Sequence, residues 1–272
     1  MKKRFLLLAF VASMVISLVG CAGKKEDQTD SKILRVGMEA GYPPFNWTQK
    51  DDSNGAVPIE GSPEFANGYD VQMAKKIAEG LGKEVVIVKT EWDGLVPALL
   101  SGKIDLIIAG MSPTKERAMK IDFSDSYYSS DLVLVVKEDG PYANAKSKAD
   151  FKGAKVVAQL NTFHDTVVEQ IEGVDHLTPM SDFPVMRVAV QSGKADAYVA
   201  ERPEAQSAEK AGVGLKMVDL SDGFKTSPED TQVSVGIKKG SELKDKINET
   251  LSKISDEERN RIMSDIQDKQ VK

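Results

Sequence analysis

The chain writes one phrase twice. Residues 101–110 read SGKIDLIIAG and residues 192–201 read SGKADAYVAE. An apolar, helix-compatible stretch precedes each copy, at residues 95–100 and 185–190. Glycine (Gly102, Gly193) stands where each helix would stop, because it enters the left-handed conformation at little cost. A short apolar run follows, at residues 104–109 and 195–200, the length of one buried strand. A helix–turn–strand unit used once in each half predicts an α/β chain of two similar lobes. Open α/β sheets take ligands just beyond the carboxyl ends of their strands. Gly110, Met111 and Ser112 in one half, and Glu201 and Arg202 in the other, therefore mark two ligand edges that face each other.

The rest of the pattern agrees. Residues 33–37 and 85–88 read as strands. Between them, Asp70 is placed to cap a helix whose apolar residues Val71, Ala74, Ile77, Ala78 and Leu81 share one face. Pro43 and Pro44 exclude a helix over residues 39–45. Residues 48–67, rich in Gly, Pro and Asp, read as an exposed loop. Residues 123–128 read as a loop before a strand at 132–136. Later strands are expected at 155–158 and 233–237, and helices at 162–171, from Ser181 or Asp182, from Arg202, and over 243–266 with a break near Ser255. Strand and helix alternate, which predicts mostly parallel sheets.

The N-terminus reads as an address. Lys2, Lys3 and Arg4 precede an apolar run from Phe5 to Val19, too short for a membrane span and suited to a secretory signal. Leu18-Val19-Gly20-Cys21 resembles the lipoprotein signal of bacteria, in which the chain is cut before the cysteine and its sulfur is acylated. Cys21 is the single cysteine, so no intramolecular disulfide forms. This gives a signal over residues 1–20 and a lipidated, polar tether over 21–31. Loss of Lys2, Lys3 and Arg4 takes the net charge from −6 to −9, and an acidic chain without a basic cluster argues against nucleic acid.

Several motifs occur in a fixed order: Gly41-Tyr42-Pro43-Pro44-Phe45, Gly68-Tyr69-Asp70, Trp92-Asp93-Gly94-Leu95, the first SGK phrase running on through Met111-Ser112-Pro113-Thr114-Lys115-Glu116-Arg117, and Asp122-Phe123-Ser124-Asp125-Ser126-Tyr127-Tyr128. Together they resemble the polar-amino-acid substrate-binding proteins of ABC importers, the extracellular solute-binding proteins of family 3. The resemblance implies a periplasmic-binding-protein-like fold, with two α/β lobes joined by two crossover strands that form a hinge. Residues 32–130 with 233–272 would make lobe 1, and residues 131–232 lobe 2. It also implies a monomer, a free amino acid as ligand, an ABC permease with its ATPase as partners, and no cofactor or metal.

Carried over residue by residue, the resemblance makes Arg117 the carboxylate-binding residue, a role its planar fork suits. Ser112 would share that carboxylate or cap the next helix. Gly110 and Thr162 lie where backbone groups reach the ligand, Met111 lies between Gly110 and Ser112 on the same ligand edge, and a helix start near Thr162 would favour an anion. Glu201 stands where relatives have Asp, and would accept the ammonium or else pair with Arg202 or Lys194. Tyr42 and Trp92 match two aromatics that sandwich the ligand side chain, with core packing as the alternative. Glu39 matches an acidic position that meets basic or amide side chains. Phe163 departs from the polar residue usual there. His164 beside it reads as a structural or surface residue.

The expected function is a lipid-anchored, outward-facing receptor that captures a polar or basic amino acid and delivers it to a permease. A sensory domain without transport, or a dehydratase on the same fold, is the alternative. The chain carries no HExxH, CxxC or phosphate-cradling Gly loop, which argues against an enzyme.

Overall fold

The computed structural model describes residues 32–270, and Lys32–Lys272 forms one compact unit. The predicted signal, the tether and Cys21 lie outside the described residues.

Two five-stranded sheets dominate. The first runs in the order Glu84–Lys89, Ile33–Met38, Leu106–Ile107, Gln232–Ile237, Asp122–Ser129. The second runs Asp175–His176, Lys155–Val157, Ala197–Glu201, Leu132–Lys137, Leu215–Val218. The repeated phrase occupies the same place in both. Helix Trp92–Ser101 stops at Gly102 (φ 77°) and leads into strand Leu106–Ile107. Helix Phe183–Gln191 passes through Gly193 (φ 74°) into strand Ala197–Glu201. Each of these strands pairs parallel on one side, with Val36 opposite Leu106 and Val156 opposite Ala197. Each pairs antiparallel on the other, with Gln232–Ile237 and with Leu132–Lys137. The sheets are thus mixed rather than mostly parallel, because the strands that carry the chain between them join each sheet on the far side. The two crossings lie side by side, and Ser130 N–H donates to the Thr231 carbonyl at 3.0 Å.

Four other expectations are corrected. Residues 48–67 are not an exposed loop throughout. Asn46–Gln49, Val57–Pro58 and Phe65–Asn67 form a small four-stranded sheet with Gly41–Tyr42, and bury Val57, Ile59 and Ala66. Residues 123–128 belong to strand Asp122–Ser129, whose pairing with Gln232–Ile237 shifts register twice. Asp70 is not the cap of its helix. Gly68 precedes Tyr69–Gly80, and Asp70 sits buried in the first turn. The helix expected at 162–171 is six residues, Phe163–Val168.

The core is apolar and falls into two clusters. Val36, Met38, Ile87, Leu95, Leu106 and Ile107 fill the first sheet's faces, and Leu134, Val156, Val199 and Phe151 those of the second. Helix Asp256–Lys269 starts against the first sheet's side, where Lys76 pairs with Glu258 at 2.6 Å. It ends at helix Arg202–Lys210, where Lys210 pairs with Asp268 at 2.6 Å. No helix among the described residues is long and apolar enough to cross a membrane.

Candidate functional site

The carboxyl ends of strands Ile33–Met38, Leu106–Ile107, Lys155–Val157 and Ala197–Glu201 lead to one cavity. Nine of the ten residues singled out in the sequence line it: Glu39, Tyr42, Trp92, Gly110, Ser112, Arg117, Thr162, Phe163 and Glu201. Met111 lines the open groove beside it, a groove that shares Trp92, Arg117, Thr162 and Phe163. Ala109, Gln159, His164 and Phe183 complete the lining and were not among the ten.

One side is built on the first sheet. Glu39 follows strand Ile33–Met38, and Gly110 to Ser112 follow Leu106–Ile107. Arg117 lies in the short helix Lys115–Ala118, capped by Thr114, whose Oγ1 accepts from Arg117 N at 3.4 Å. Ser112 is therefore not the cap; its hydroxyl donates to the Asp230 carbonyl at 2.7 Å. The guanidinium lies over the Trp92 ring, 4.8 Å from its centroid, a cation–π arrangement. It donates through Nη1 to the Ser112 carbonyl (2.9 Å) and through Nη2 to the Asn161 carbonyl (3.2 Å). Burial lowers the guanidinium to about 10, so it stays charged at neutral pH.

The other side comes from the second sheet. Gln159 follows strand Lys155–Val157, Phe163 and His164 open helix Phe163–Val168, and Phe183 opens Phe183–Gln191. Glu201 ends strand Ala197–Glu201 and is buried. The Tyr42 hydroxyl donates to Glu201 Oε2, and His164 Nε2 lies 3.1 Å from Oε1. Burial raises the Glu201 carboxyl, but the imidazole and the phenol outweigh it and the net effect is a lowered value. Glu201 is thus a buried anion. The alternative pairing with Arg202 is not made, since Arg202 bridges Asp131 and Asp219 instead. Tyr42 is fixed between Phe45 and Phe183, with ring centroids 5.0 Å and 4.3 Å away.

Glu39 stands at a third corner. Its Oε1 accepts from Gln159 Nε2 at 3.1 Å, and Gln159 also donates to the Ser181 carbonyl at 3.1 Å. Desolvation pushes the Glu39 carboxyl up to about 8, against the hydrogen bond from Gln159. Behind the cavity floor, Asp70 accepts from Asn46 Nδ2 (2.8 Å) and Tyr127 OH (2.7 Å), and burial raises it to about 7.

Asn161 holds the rim. It adopts φ 56°, and its amide donates to Asp93 Oδ1 at 2.9 Å. A cation, a buried anion and a neutral-to-acidic corner around one small cavity can hold a zwitterion with a polar side chain. Among the described residues, no group of three or more His, Cys, Asp or Glu is arranged to hold a metal.

Residues 34–265 match the model of the bacterial extracellular solute-binding proteins, family 3. A Campylobacter jejuni protein named "Probable histidine-binding protein" is 33% identical, over 75% of this chain and 76% of the relative. The arginine-binding extracellular protein ArtP of Bacillus subtilis is 28% identical over 93% of each chain. Among solved structures, an amino acid ABC transporter substrate-binding protein from Streptococcus pneumoniae, bound to L-arginine, superposes with a TM-score of 0.76 at 27% identity, over 87% of this chain and 94% of that one. An ancestral arginine-binding protein bound to arginine gives a TM-score of 0.70 at 34% identity, over 86% and 98%. With a two-lobed fold, a cavity between its sheets and a family match over most of its length, this chain belongs to the bacterial extracellular solute-binding proteins of family 3.

Proposed function

We propose that this chain captures a free amino acid with a polar or basic side chain and hands it to an ABC permease and its ATPase. As a family 3 member it is a solute-binding receptor of the amino-acid type. The observation that carries the ligand reading is the opposition of Arg117 and Glu201 across one cavity, with Glu39 and Gln159 at a third corner. In this reading Arg117 and Ser112 hold the carboxylate, with backbone groups of Gly110, Met111 and Thr162 nearby. Glu201 accepts the ammonium. Trp92 and Phe163 supply aromatic walls, while Tyr42, expected to sandwich the side chain, has both faces covered by Phe45 and Phe183 and instead supports Glu201 through its hydroxyl. A guanidinium, ammonium or amide at the far end of the ligand meets Glu39 and Gln159. Relatives named for arginine and histidine support a basic ligand.

Residues 32–130 with 233–272, and residues 131–232, act as the two closing lobes, and the paired crossings near Ser130 and Thr231 are the hinge. Closure desolvates the zwitterion and strengthens its charged contacts. Binding rather than catalysis is supported by relatives named as binding proteins. Cys21, cut and acylated, would anchor a monomeric receptor on the outer face of the cell membrane.

The test is thermal unfolding of the purified chain, refolded to strip carried-over ligand, against each of the twenty amino acids. A ligand at about a hundred times its Kd adds about 2.7 kcal/mol and raises Tm by roughly 5–10 °C. A shift with basic or amide side chains, lost in Arg117→Ala, supports the reading. No shift with any amino acid refutes it.

A further inference from the structure

His164 lies against the ammonium acceptor without a role in holding a zwitterion. Its side chain is 4% exposed and lines the cavity. Its ring stands edge-on to Phe163 (4.6 Å, 70°) and to Phe183 (6.2 Å, 77°). Nε2 comes within 3.1 Å of Glu201 Oε1, yet neither ring nitrogen makes a well-aligned hydrogen bond. A buried structural histidine ordinarily fixes its tautomer by bonding a carbonyl or carboxylate with one nitrogen. The polar neighbour of the ring is Glu201 itself, so the protonation of His164 is coupled to whatever else approaches that carboxylate.

The surrounding charges define that competition. Tyr42 donates to the other oxygen of Glu201 and carries no charge. Arg117 and Glu39 line the same cavity. Glu204, three residues beyond Glu201, is buried and paired with Arg187 at 2.7 Å. Asp165, on the helix of His164, is turned to His176 at 2.7 Å. Among the described residues, Glu201 is therefore the one anion in contact with the His164 ring, and it is the same anion that would receive a ligand's ammonium. Two cations against one buried carboxylate repel strongly in a low-dielectric cavity.

We propose that His164 is a specificity-determining residue of the ammonium pocket. Neutral, it leaves Glu201 to the α-ammonium of the ligand; protonated, it takes Glu201 for itself. Capture of an α-amino acid then expels the imidazole proton to solvent, and affinity falls as the medium becomes acid. A carboxylate ligand without an α-ammonium escapes this competition. The proposal rests on the reading of Glu201 as ammonium acceptor.

The experiment is calorimetry from pH 5.0 to 7.5, in buffers of different ionisation enthalpy, on the whole chain and on His164→Gln. The probes are L-arginine and 5-guanidinopentanoate, which is arginine without its α-ammonium. Glu39 acts on both proteins alike and drops out of their ratio. The expected result is a wild-type to variant affinity ratio for arginine that falls about tenfold per pH unit at the acid end, with a proton released on binding. For 5-guanidinopentanoate the ratio stays flat. Parallel pH profiles of the two proteins for arginine would overturn the proposal and leave His164 a packing residue. If the folded wild type binds arginine at no pH, the Arg117–Glu201 reading falls, and this one with it. Should His164→Gln not fold, the wild-type His164 Cε1–H resonance, told from that of His176 by a His176→Asn variant, is titrated instead. Its midpoint is expected to drop when arginine is bound, and an unchanged midpoint overturns the proposal.

Discussion

Replacing Glu39 with Gln separates a charged ligand side chain from an amide one. The Glu39 carboxyl is held up to about 8, so at pH 6.5 about 3% of it is ionised and at pH 8.0 about half. A guanidinium needs the ionised form, and the cost of reaching it is part of the observed affinity. An amide does not, since the protonated carboxyl can donate to its oxygen. The affinity ratio of L-arginine to L-glutamine should therefore rise about sixteenfold from pH 6.5 to pH 8.0 in the wild type, from the ionised fractions alone. Both ligands share the α-ammonium, so any effect of His164 cancels. In Glu39→Gln the ratio should be flat with pH and lower at pH 8.0. Isothermal calorimetry measures both. A flat ratio in the wild type, or a rise that persists in Glu39→Gln, refutes the placing of the side chain at this corner.

Other expectations follow from the same geometry. Arg117→Ala should weaken binding by at least about a hundredfold, because two charge-assisted bonds to a carboxylate are worth about 1.5–3 kcal/mol each. Arg117→Lys should recover little, since the fork is gone; a loss under about fivefold in Arg117→Ala would count against the role. Gly110 has φ 62°, and a Cβ there would lie 2.8 Å from Tyr42 Cε1, on a ring already stacked on both sides. Gly110→Ala should cost about 1–3 kcal/mol in chemical denaturation and displace Tyr42 from Glu201. Asp70 and Glu39 are raised from 3.8 and 4.5 to about 7 and about 8, so the folded state favours their protonated forms. That contribution is complete below about pH 4 and is lost as pH rises through 7 and 8, so ligand-free Tm should fall between pH 5 and 8.5; a rise over that range would contradict it. Cys21→Ser should move the protein from the membrane fraction to the medium or periplasm, and unchanged fractionation would refute the lipid anchor.

Much of the site was legible because it is built at strand ends. Gly110 and Glu201 each close a copy of the repeated phrase, and a strand's carboxyl end has a fixed meaning in this kind of sheet. Gln159, His164 and Phe183 were not read from the sequence as part of the site. Phe183 and His164 are early residues of helices, where sequence shows only a helix start. Gln159 gains its importance from Glu39, 120 residues away, and no local pattern carries that contact. The small sheet over residues 41–67 was missed because Gly, Pro and Asp outweigh its few buried residues, Val57, Ile59 and Ala66. Strand Asp122–Ser129 was missed for a different reason: two register shifts break the alternation that marks a strand.

The two sheets differ in how their strands are drawn from the chain. The one behind Glu201 uses a single uninterrupted stretch, from Leu132–Lys137 to Leu215–Val218. The one behind Arg117 waits for Gln232–Ile237, without which strand Asp122–Ser129 has no neighbour. A polypeptide that emerges from its N-terminus can complete the inner sheet early and must leave the outer one open until late. Arg117 and Glu201 then come into opposition only after nearly the whole chain has been delivered. Fragments that stop short of Gln232–Ile237 would carry every residue of the cavity and still retain no solute, so the ability to hold an amino acid doubles as a certificate that assembly is finished.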